Sequence, residues 1–407
     1  MYRRNFTKGR FQGRPGKQGG HFRKKGNFRA STFNIASFIN QTPRQEEKHF
    51  TPKQLFENFE IHSILKNNIT KKGYKIPTPI QDEAIPHILS GSDIVGIANT
   101  GTGKTAAFLI PLINKVLANP KEKVIIVVPT RELALQIDEE LRGFVSGLKI
   151  FSVCCVGGAS IGQQISSLRY YNNFIIGTPG RLKDLIQRKF INLSNFNTIV
   201  LDEADRMLDM GFINDMKFMM SFMPKDRHTL FFSATLSKDV EGLISAFLNK
   251  PVMISVKEND TPQNVDQDVI RLGRDDNKVD VLHDLLVKPE FSKVLIFGKT
   301  KHGVEKLSVL LSRKGFSVES IHGNKNHSKR QKALKMFKEN KIQALVATDV
   351  AARGLDINGV SHVINFDMPA THEDYIHRIG RTGRGDQKGK ALTFIEHTSL
   401  RNGAKKY

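Results

Sequence analysis

From about residue 50 the chain alternates short apolar runs with stretches in which apolar residues recur at helical spacing. In the first half the runs are DIVGIA, KVIIVVP, FSVCCVGG, NFIIGTP, TIVLDE, HTLFFSAT and PVMISV. In the second they are DVIRL, KVLIFGKT, FSVESIHG, IQALVATD, SHVINFD and KALTFIE. Most are continuously apolar, which predicts strands covered on both faces by the helices between them, hence parallel, doubly wound α/β sheets. Most of the runs carry Gly, Thr, Asp or Ser within their last three residues, and in such sheets ligands gather at the carboxyl ends of the strands. The polar stretch KENDTPQNVDQ divides the pattern into two lobes and predicts a cleft between them.

These shifts set the expected boundaries: a first lobe over residues 49–256, a linker over 257–267, a second lobe over 268–398 and a short tail over 399–407. Residues 1–48 precede the pattern. Their first thirty carry ten Lys/Arg, six Gly and four Phe, with no acid and no Leu, Ile or Val. That composition builds no core and predicts a disordered basic arm. Its charge and aromatic rings suit single-stranded nucleic acid, with a solubilising tail as the plainer alternative. The whole chain carries +22, so the arm accounts for nearly half and the folded part is basic in its own right. Such an excess draws a polyanion.

Other classes recede. The two cysteines, Cys154 and Cys155, are strand neighbours on opposite faces, suited to core packing rather than to a disulfide or metal pair. No apolar run is long enough for a membrane span, and no secretory signal is present.

Chemistry concentrates at three strand ends. After DIVGIA comes ANTGTGKT, whose Gly101-Thr102-Gly103-Lys104-Thr105 joins a strand to an amphipathic helix. Glycines let backbone N–H groups wrap a phosphate, and the helix N-terminus favours the anion. Lys104 can reach terminal phosphates and the Thr105 hydroxyl suits Mg²⁺. Ala98 stands where the full pattern has Gly, which keeps a structural turn as the alternative.

The run TIVL ends in Asp202-Glu203-Ala204-Asp205. Beside a phosphate loop, Asp202 fits a Mg²⁺ ligand acting through water and Glu203 fits the group that polarises an attacking water. The plainer alternative makes Asp202 the cap and Glu203 a first-turn acid of helix ADRMLDMGF, worth about 1 kcal/mol. In the second lobe Arg378, Arg381 and Arg384 stand three apart in EDYIHRIGRTGRGDQ, separated by Gly380 and Gly383. Guanidinium groups delivered across a cleft onto a transferring phosphate are worth ~10³ to 10⁵ in rate. A basic patch on nucleic-acid backbone is the alternative.

Together these residues resemble the DEAD-box family of ATP-dependent RNA helicases over roughly residues 50 to 398. GYKIPTPIQ at 73–81 is similar to the family's adenine-recognising segment, with Phe56 as its upstream aromatic. The resemblance implies that Gln81 bonds adenine, Tyr74 stacks on it, and Thr100 to Thr105 hold the phosphates; the family loop also begins with Ala. PTRELALQI, VGG and TPGRL imply RNA-backbone contacts from Thr130, Arg131, Gly157, Gly158, Thr178 and Arg181. SAT implies coupling of hydrolysis to RNA through Ser233 and Thr235, with Asp205 and His377. In the second lobe LIFGKTK, IHG, VATDVAARGLD and HRIGRTGR imply Asp356 on the ribose, Thr348 and Arg330 on RNA, and Arg381 and Arg384 as arginine fingers. Where many members have Gln, this chain has His327 before Arg330, which implies altered RNA contact rather than lost activity. The look of the second lobe resembles the bacterial RhlE-like branch.

The implied fold is two RecA-like domains in tandem. The implied cofactors are ATP and Mg²⁺, the partner RNA (single strands and short duplexes, mostly without sequence preference), and the location cytoplasmic. An RNA clamp that anneals more than it unwinds would use the same residues. A DNA helicase is opposed by GYKIPTPIQ and HRIGRTGR, and an inactive scaffold by the presence of Lys104, Glu203 and the arginines. No further domain is expected after the tail.

Overall fold

The computed structural model describes residues 50–99, 101–256, 264–352, 357–383 and 388–396. The basic arm, Thr100, residues 257–263 of the linker, Asp356, Arg384 and the tail lie outside them.

The first lobe is a parallel sheet of β1 (Ile94–Ile97), β2 (Val124–Val127), β3 (Ser152–Cys155), β4 (Phe174–Gly177), β5 (Thr198–Leu201), β6 (His228–Ser233) and β7 (Val252–Ser255). The second holds β8 (Val265–Leu272), β9 (Val294–Phe297), β10 (Val318–Ile321), β11 (Ala344–Ala347), β12 (His362–Asn365) and β13 (Gly389–Glu396). Every strand falls on an apolar run read from the sequence. β8 begins earlier than expected, inside the stretch taken as linker. Its first residues alternate buried Val265 and Gln267 with exposed Asp266, a half-buried edge pattern rather than a continuous apolar one.

Both sheets are buried on both faces because successive strand residues point to opposite sides. In β2, Val124 and Ile126 enter one core while Ile125 and Val127 enter the other. In β9, Leu295 and Phe297 face one core and Val294 and Ile296 the other. Cys154 and Cys155 divide the same way and are both free thiols. Among the described residues no helix is long and apolar enough to cross a membrane.

Strand order decides what meets what. It runs β3-β4-β2-β5-β6-β1-β7 in the first sheet and β10-β11-β9-β12-β13-β8 in the second, all pairs parallel. The carboxyl ends of β5, β6 and β1 are therefore neighbours, carrying the 202–205 acids, the 233–235 segment and the phosphate loop. The ends of β2, β4 and β3, on the other half of the same edge, carry the 130–131, 178–181 and 156–158 loops.

Candidate functional site: a strand-end cluster shared by two lobes

The phosphate loop leaves β1 at Ala98, whose N–H bonds the Ser233 carbonyl of β6. Gly101 and Gly103 adopt left-handed backbones, φ 88° and 94°, and Gly103 caps helix Lys104–Ala118. A Cβ at Gly103 would lie 2.4 Å from Gln81 Nε2, so conformation and space both require glycine there. Gln81, 1% exposed, accepts from Thr78 N–H (2.9 Å) and donates to the Gly103 carbonyl (3.1 Å). That leaves its amide one further N–H to offer a base. The Lys104 ammonium is buried and donates to the Ala98 carbonyl at 2.8 Å. Thr102 Oγ1 donates to Asn99, and Thr105 is half-buried on the first turn of the helix.

Beside this loop β5 ends in three buried acids, Asp202, Glu203 and Asp205. Burial pushes Asp202 up to about 6 against the opposing pull of the Lys104 ammonium, with Glu203 adding to the rise. Asp202 Oδ1 accepts from Glu203 N–H at 2.9 Å. The plain capping alternative fails here: the cap of helix Ala204–Asp209 is Glu203, not Asp202, and it makes no side-chain cap bond. Glu203 stands at φ 52°, ψ 48°, a left-handed conformation costing a non-glycine residue about 1–3 kcal/mol. Its Oε2 lies 3.4 Å from Arg206 Nε, and both atoms are buried without a hydrogen-bond partner among the described residues. An acid held strained, buried and under-bonded is arranged for something other than capping.

Asp205 is fully engaged. Its Oδ2 accepts from Ala234 N–H (3.0 Å), Thr235 N–H (3.0 Å) and Thr235 Oγ1 (3.2 Å), and Oδ1 from Arg206 N–H (2.9 Å). Ser233 Oγ closes the turn onto the Thr235 carbonyl at 2.7 Å. Residues 234–237 then line a cavity with Asn99 on one side and His372, Glu373, Ile376 and His377 of the second lobe on the other. Helix His372–Ile379 runs from this cavity toward Arg381, which is 3% exposed and donates from Nε to the His377 carbonyl.

The basic side chains separate by role. Arg378, grouped with Arg381 and Arg384 by spacing, is spent inside the second lobe. It grips Asp349 through Nε (2.6 Å) and Nη2 (2.8 Å), bonds the Asp367 carbonyl at 2.6 Å and lies over the Phe297 ring. Arg131 lies against the Gly157-Gly158 turn; Gly158 has φ 75°, and a Cβ there would meet the guanidinium at 2.0 Å. Arg181 flanks the same turn, bonding Gln164 Oε1 (2.8 Å) and the Ala159 carbonyl (3.3 Å). Thr130 caps helix Arg131–Phe144 and Thr178 precedes helix Pro179–Gln187. Thr348 closes β11, its N–H on the Ile321 carbonyl. Arg330 crosses between lobes to Glu132 at 2.8 Å, the two side chains 11% and 4% exposed. His327, one turn earlier, is held below the usual imidazole range by burial, which the Glu132 charge opposes and Arg131 and Arg330 reinforce.

Two domain descriptions match the chain: DEAD/DEAH box helicase over residues 78–243 and helicase conserved C-terminal domain over 277–386. The DEAD-box ATP-dependent RNA helicase CshA of Bacillus subtilis is 45% identical over 342 residues, 84% of this chain and 69% of that protein. The chain belongs to the DEAD-box family of ATP-dependent RNA helicases. Solved DEAD-box structures agree in fold. Saccharomyces cerevisiae Dbp5 bound to RNA and ADP BeF3 aligns at TM-score 0.76 and 30% identity, over 85% of this chain and 90% of that one. A DEAD box protein from Methanococcus jannaschii aligns at TM-score 0.51 and 37% identity, over 86% and 95%. The relative is named CshA, and nothing in these matches shows the RhlE-like branch.

Within this DEAD-box enzyme the aromatics expected at the adenine are tied into the lobe. Phe56 is buried, and its ring sits 5.9 Å from that of Tyr74. Tyr74 also packs on Phe144 and donates its hydroxyl to Glu140 at 2.8 Å. Asp356, Arg384 and Thr100 fall outside the described residues. Sequence reading missed the acids and amides that hold the basic groups: Glu132 on Arg330, Asp349 on Arg378, Gln164 on Arg181. Glu132 was the most legible, an acid inside PTRELALQI next to an arginine assigned to RNA.

Proposed function

We propose that this protein hydrolyses ATP in the cluster at the β1, β5 and β6 ends and uses closure of its two lobes to separate short RNA duplexes locally. The observation that carries this reading is Asp205, which accepts three bonds from Ala234 and Thr235 and so fastens the acid-bearing strand end to the turn facing the second lobe. Any change at the nucleotide is thereby transmitted to the cleft wall.

The residues present fit a magnesium nucleotide. Asp202 is a buried carboxylate raised by desolvation, with Lys104 as the one cation acting on it among the described residues, and the glycine turn and helix N-terminus suit phosphate. Thr105 and Asp202 would hold Mg²⁺, which when bound offsets charge on the phosphate oxygens. Lys104 exchanges the Ala98 carbonyl for the terminal phosphates. Glu203 accepts a proton from the attacking water, whose oxygen bonds the γ-phosphorus as the bridging P–O bond to the β-phosphate breaks. Arg381 and Arg384 meet the charge that develops, worth ~10³ to 10⁵ in rate. Gln81, Tyr74 and Phe56 form the adenine end, and Asp356 the ribose contact. Asp205, Ser233, Thr235 and His377 couple the site to the cleft.

RNA lies along the other half of the edge, on Thr130, Arg131, Gly157, Gly158, Thr178 and Arg181, and on Arg330 and Thr348 of the second lobe. Contacts of this kind are to backbone and carry little sequence preference. Alignment with an RNA- and nucleotide-bound relative at TM-score 0.76, against 0.51 for a relative of higher identity, supports reading the lobe arrangement as the closed one. A cytoplasmic location goes with an RNA substrate.

Steady-state ATPase with and without RNA, beside displacement of a short RNA duplex, tests the proposal. Glu203→Gln and Lys104→Ala are expected to abolish RNA-stimulated turnover. Hydrolysis that ignores RNA, or a Glu203→Gln variant with normal turnover, overturns it.

A further inference from the structure

The loops assigned to phosphate, RNA and coupling in the first lobe sit at the carboxyl ends of its strands. The opposite edge, at the amino ends of β2, β3 and β4, carries a surface that packing does not require. Three aromatic rings stand in water there: Phe151 at 52%, Tyr170 at 74% and Tyr171 at 53% exposure. Solvent-exposed Lys121, Lys149 and Arg169 stand on the same three loops.

Hydrogen bonds weld these loops into one platform. The Phe151 carbonyl accepts from Asn173 and Phe174 N–H, and Phe151 N–H donates to Asn173 Oδ1. Asn173 Nδ2 reaches the Pro120 carbonyl at 2.9 Å, and the Tyr171 hydroxyl donates to the same carbonyl. Asn172 Nδ2 bonds the Tyr170 carbonyl at 2.9 Å. The rings are thus displayed from fixed backbone rather than from loose tips.

No exposed acid balances the cations on these loops. Glu122 is 5% exposed, paired with Lys115 at 3.1 Å, and accepts from the Thr198 hydroxyl at 2.9 Å. Asp138, behind β3, is buried and paired with Arg142 at 2.8 Å.

We infer that this platform is a second binding surface for single-stranded RNA, with bases stacked on Tyr170, Tyr171 and Phe151 and phosphates met by Lys121, Lys149 and Arg169. Exposed rings interleaved with uncompensated cations suit unpaired nucleotides, whose bases all have a face to stack. An apolar protein partner would not call for the charges, and the chain's own basic arm is repelled by them. The surface also lies at the other ends of the strands that carry the RNA path proposed above, on which this inference rests. The same three strands carry both, β3 is the edge strand, and four residues of strand separate the two ends by about 13 Å. RNA leaving the cleft can turn around that edge onto the rings. The gain is a hold on longer RNA that stays engaged when the cleft opens.

The test compares full-length protein with Tyr170→Ala, and with the triple variant Lys121→Gln, Lys149→Gln, Arg169→Gln, on single strands of about 8 and about 30 nucleotides. Tyr170→Ala is expected to weaken binding of the long strand roughly tenfold and the short one hardly at all. The triple variant is expected to lower the salt slope for the long strand by about 2. ATPase stimulated by the short strand stays at the wild-type level in both, which also shows them folded. Equal long-strand affinity in wild type and both variants overturns the inference, as does a long strand bound no better than a short one by wild type. A wild-type ATPase indifferent to any RNA sinks the underlying helicase reading instead.

Discussion

Arg330→Gln in the second lobe would leave the Glu132 carboxylate of the first lobe 4% exposed and without its Arg330 partner. The 2.8 Å contact is ionic rather than well aligned, since Glu132 Oε1 and Arg330 Nε have no hydrogen-bond partner among the described residues. At that separation and an effective dielectric of ~20 the attraction is about 6 kcal/mol. Removing two charges from water offsets several kcal/mol for each, so the intact pair contributes little net. Breaking it is another matter: the abandoned charge keeps its desolvation penalty, about 3 kcal/mol or more. Only the closed arrangement carries that penalty, because parting the lobes returns Glu132 to water. Closure should therefore weaken by roughly a hundredfold in either Arg330→Gln or Glu132→Gln. The double variant should recover most of the loss. Inter-lobe energy transfer, titrated with RNA in the presence of a non-hydrolysable ATP analogue, reads the closing equilibrium directly. Strictly additive single effects would refute the reasoning, since they mean that the two groups do not meet in the closed state.

Asp205→Ala would orphan the Ala234 amide and the Thr235 hydroxyl, while Arg206 N–H keeps the Glu203 carbonyl and Thr235 N–H keeps Ser233 Oγ. At 1–3 kcal/mol per buried orphan, the first lobe should lose at least ~2 kcal/mol in urea unfolding. Asp205→Asn, which keeps an acceptor oxygen, should lose about half as much, and equal losses would contradict the bonding described. Arg378→Lys should lower the melting temperature of the second lobe, because an ammonium cannot bridge both Asp349 oxygens and reach Asp367 as well. Burial holds His228 below the ordinary imidazole range, helped by the Lys115 charge and opposed by its Ser92 carbonyl bond and by Asp93 and Glu122. Its unfolded form binds protons first, so its contribution to stability is complete above about pH 6.5 and is lost as pH falls through the folded value. Urea midpoints across that range should be flatter in His228→Asn; an unchanged slope would clear His228 of the effect.

What the sequence determined by itself is what is local or periodic. Continuous apolar runs such as VIIV and VLIF announce buried parallel strands because no other element hides both faces of a residue row. The glycines and Lys104 announce a phosphate loop because left-handed turns and a reaching ammonium are written in residue type. Tertiary structure decided the rest, because partners distant in sequence are chosen by strand order and packing. The order β5-β6-β1 makes neighbours of loops more than a hundred residues apart, and lets Asp205 bond Thr235. Three arginines evenly spaced looked alike; folding spends Arg378 on Asp349 and leaves Arg381 buried with Nε on the His377 carbonyl. The strained backbone of Glu203 left no local trace, since it is imposed by its surroundings, and PTRELALQI offers Glu132 but not its partner, because the pair with Arg330 exists only where two lobes touch.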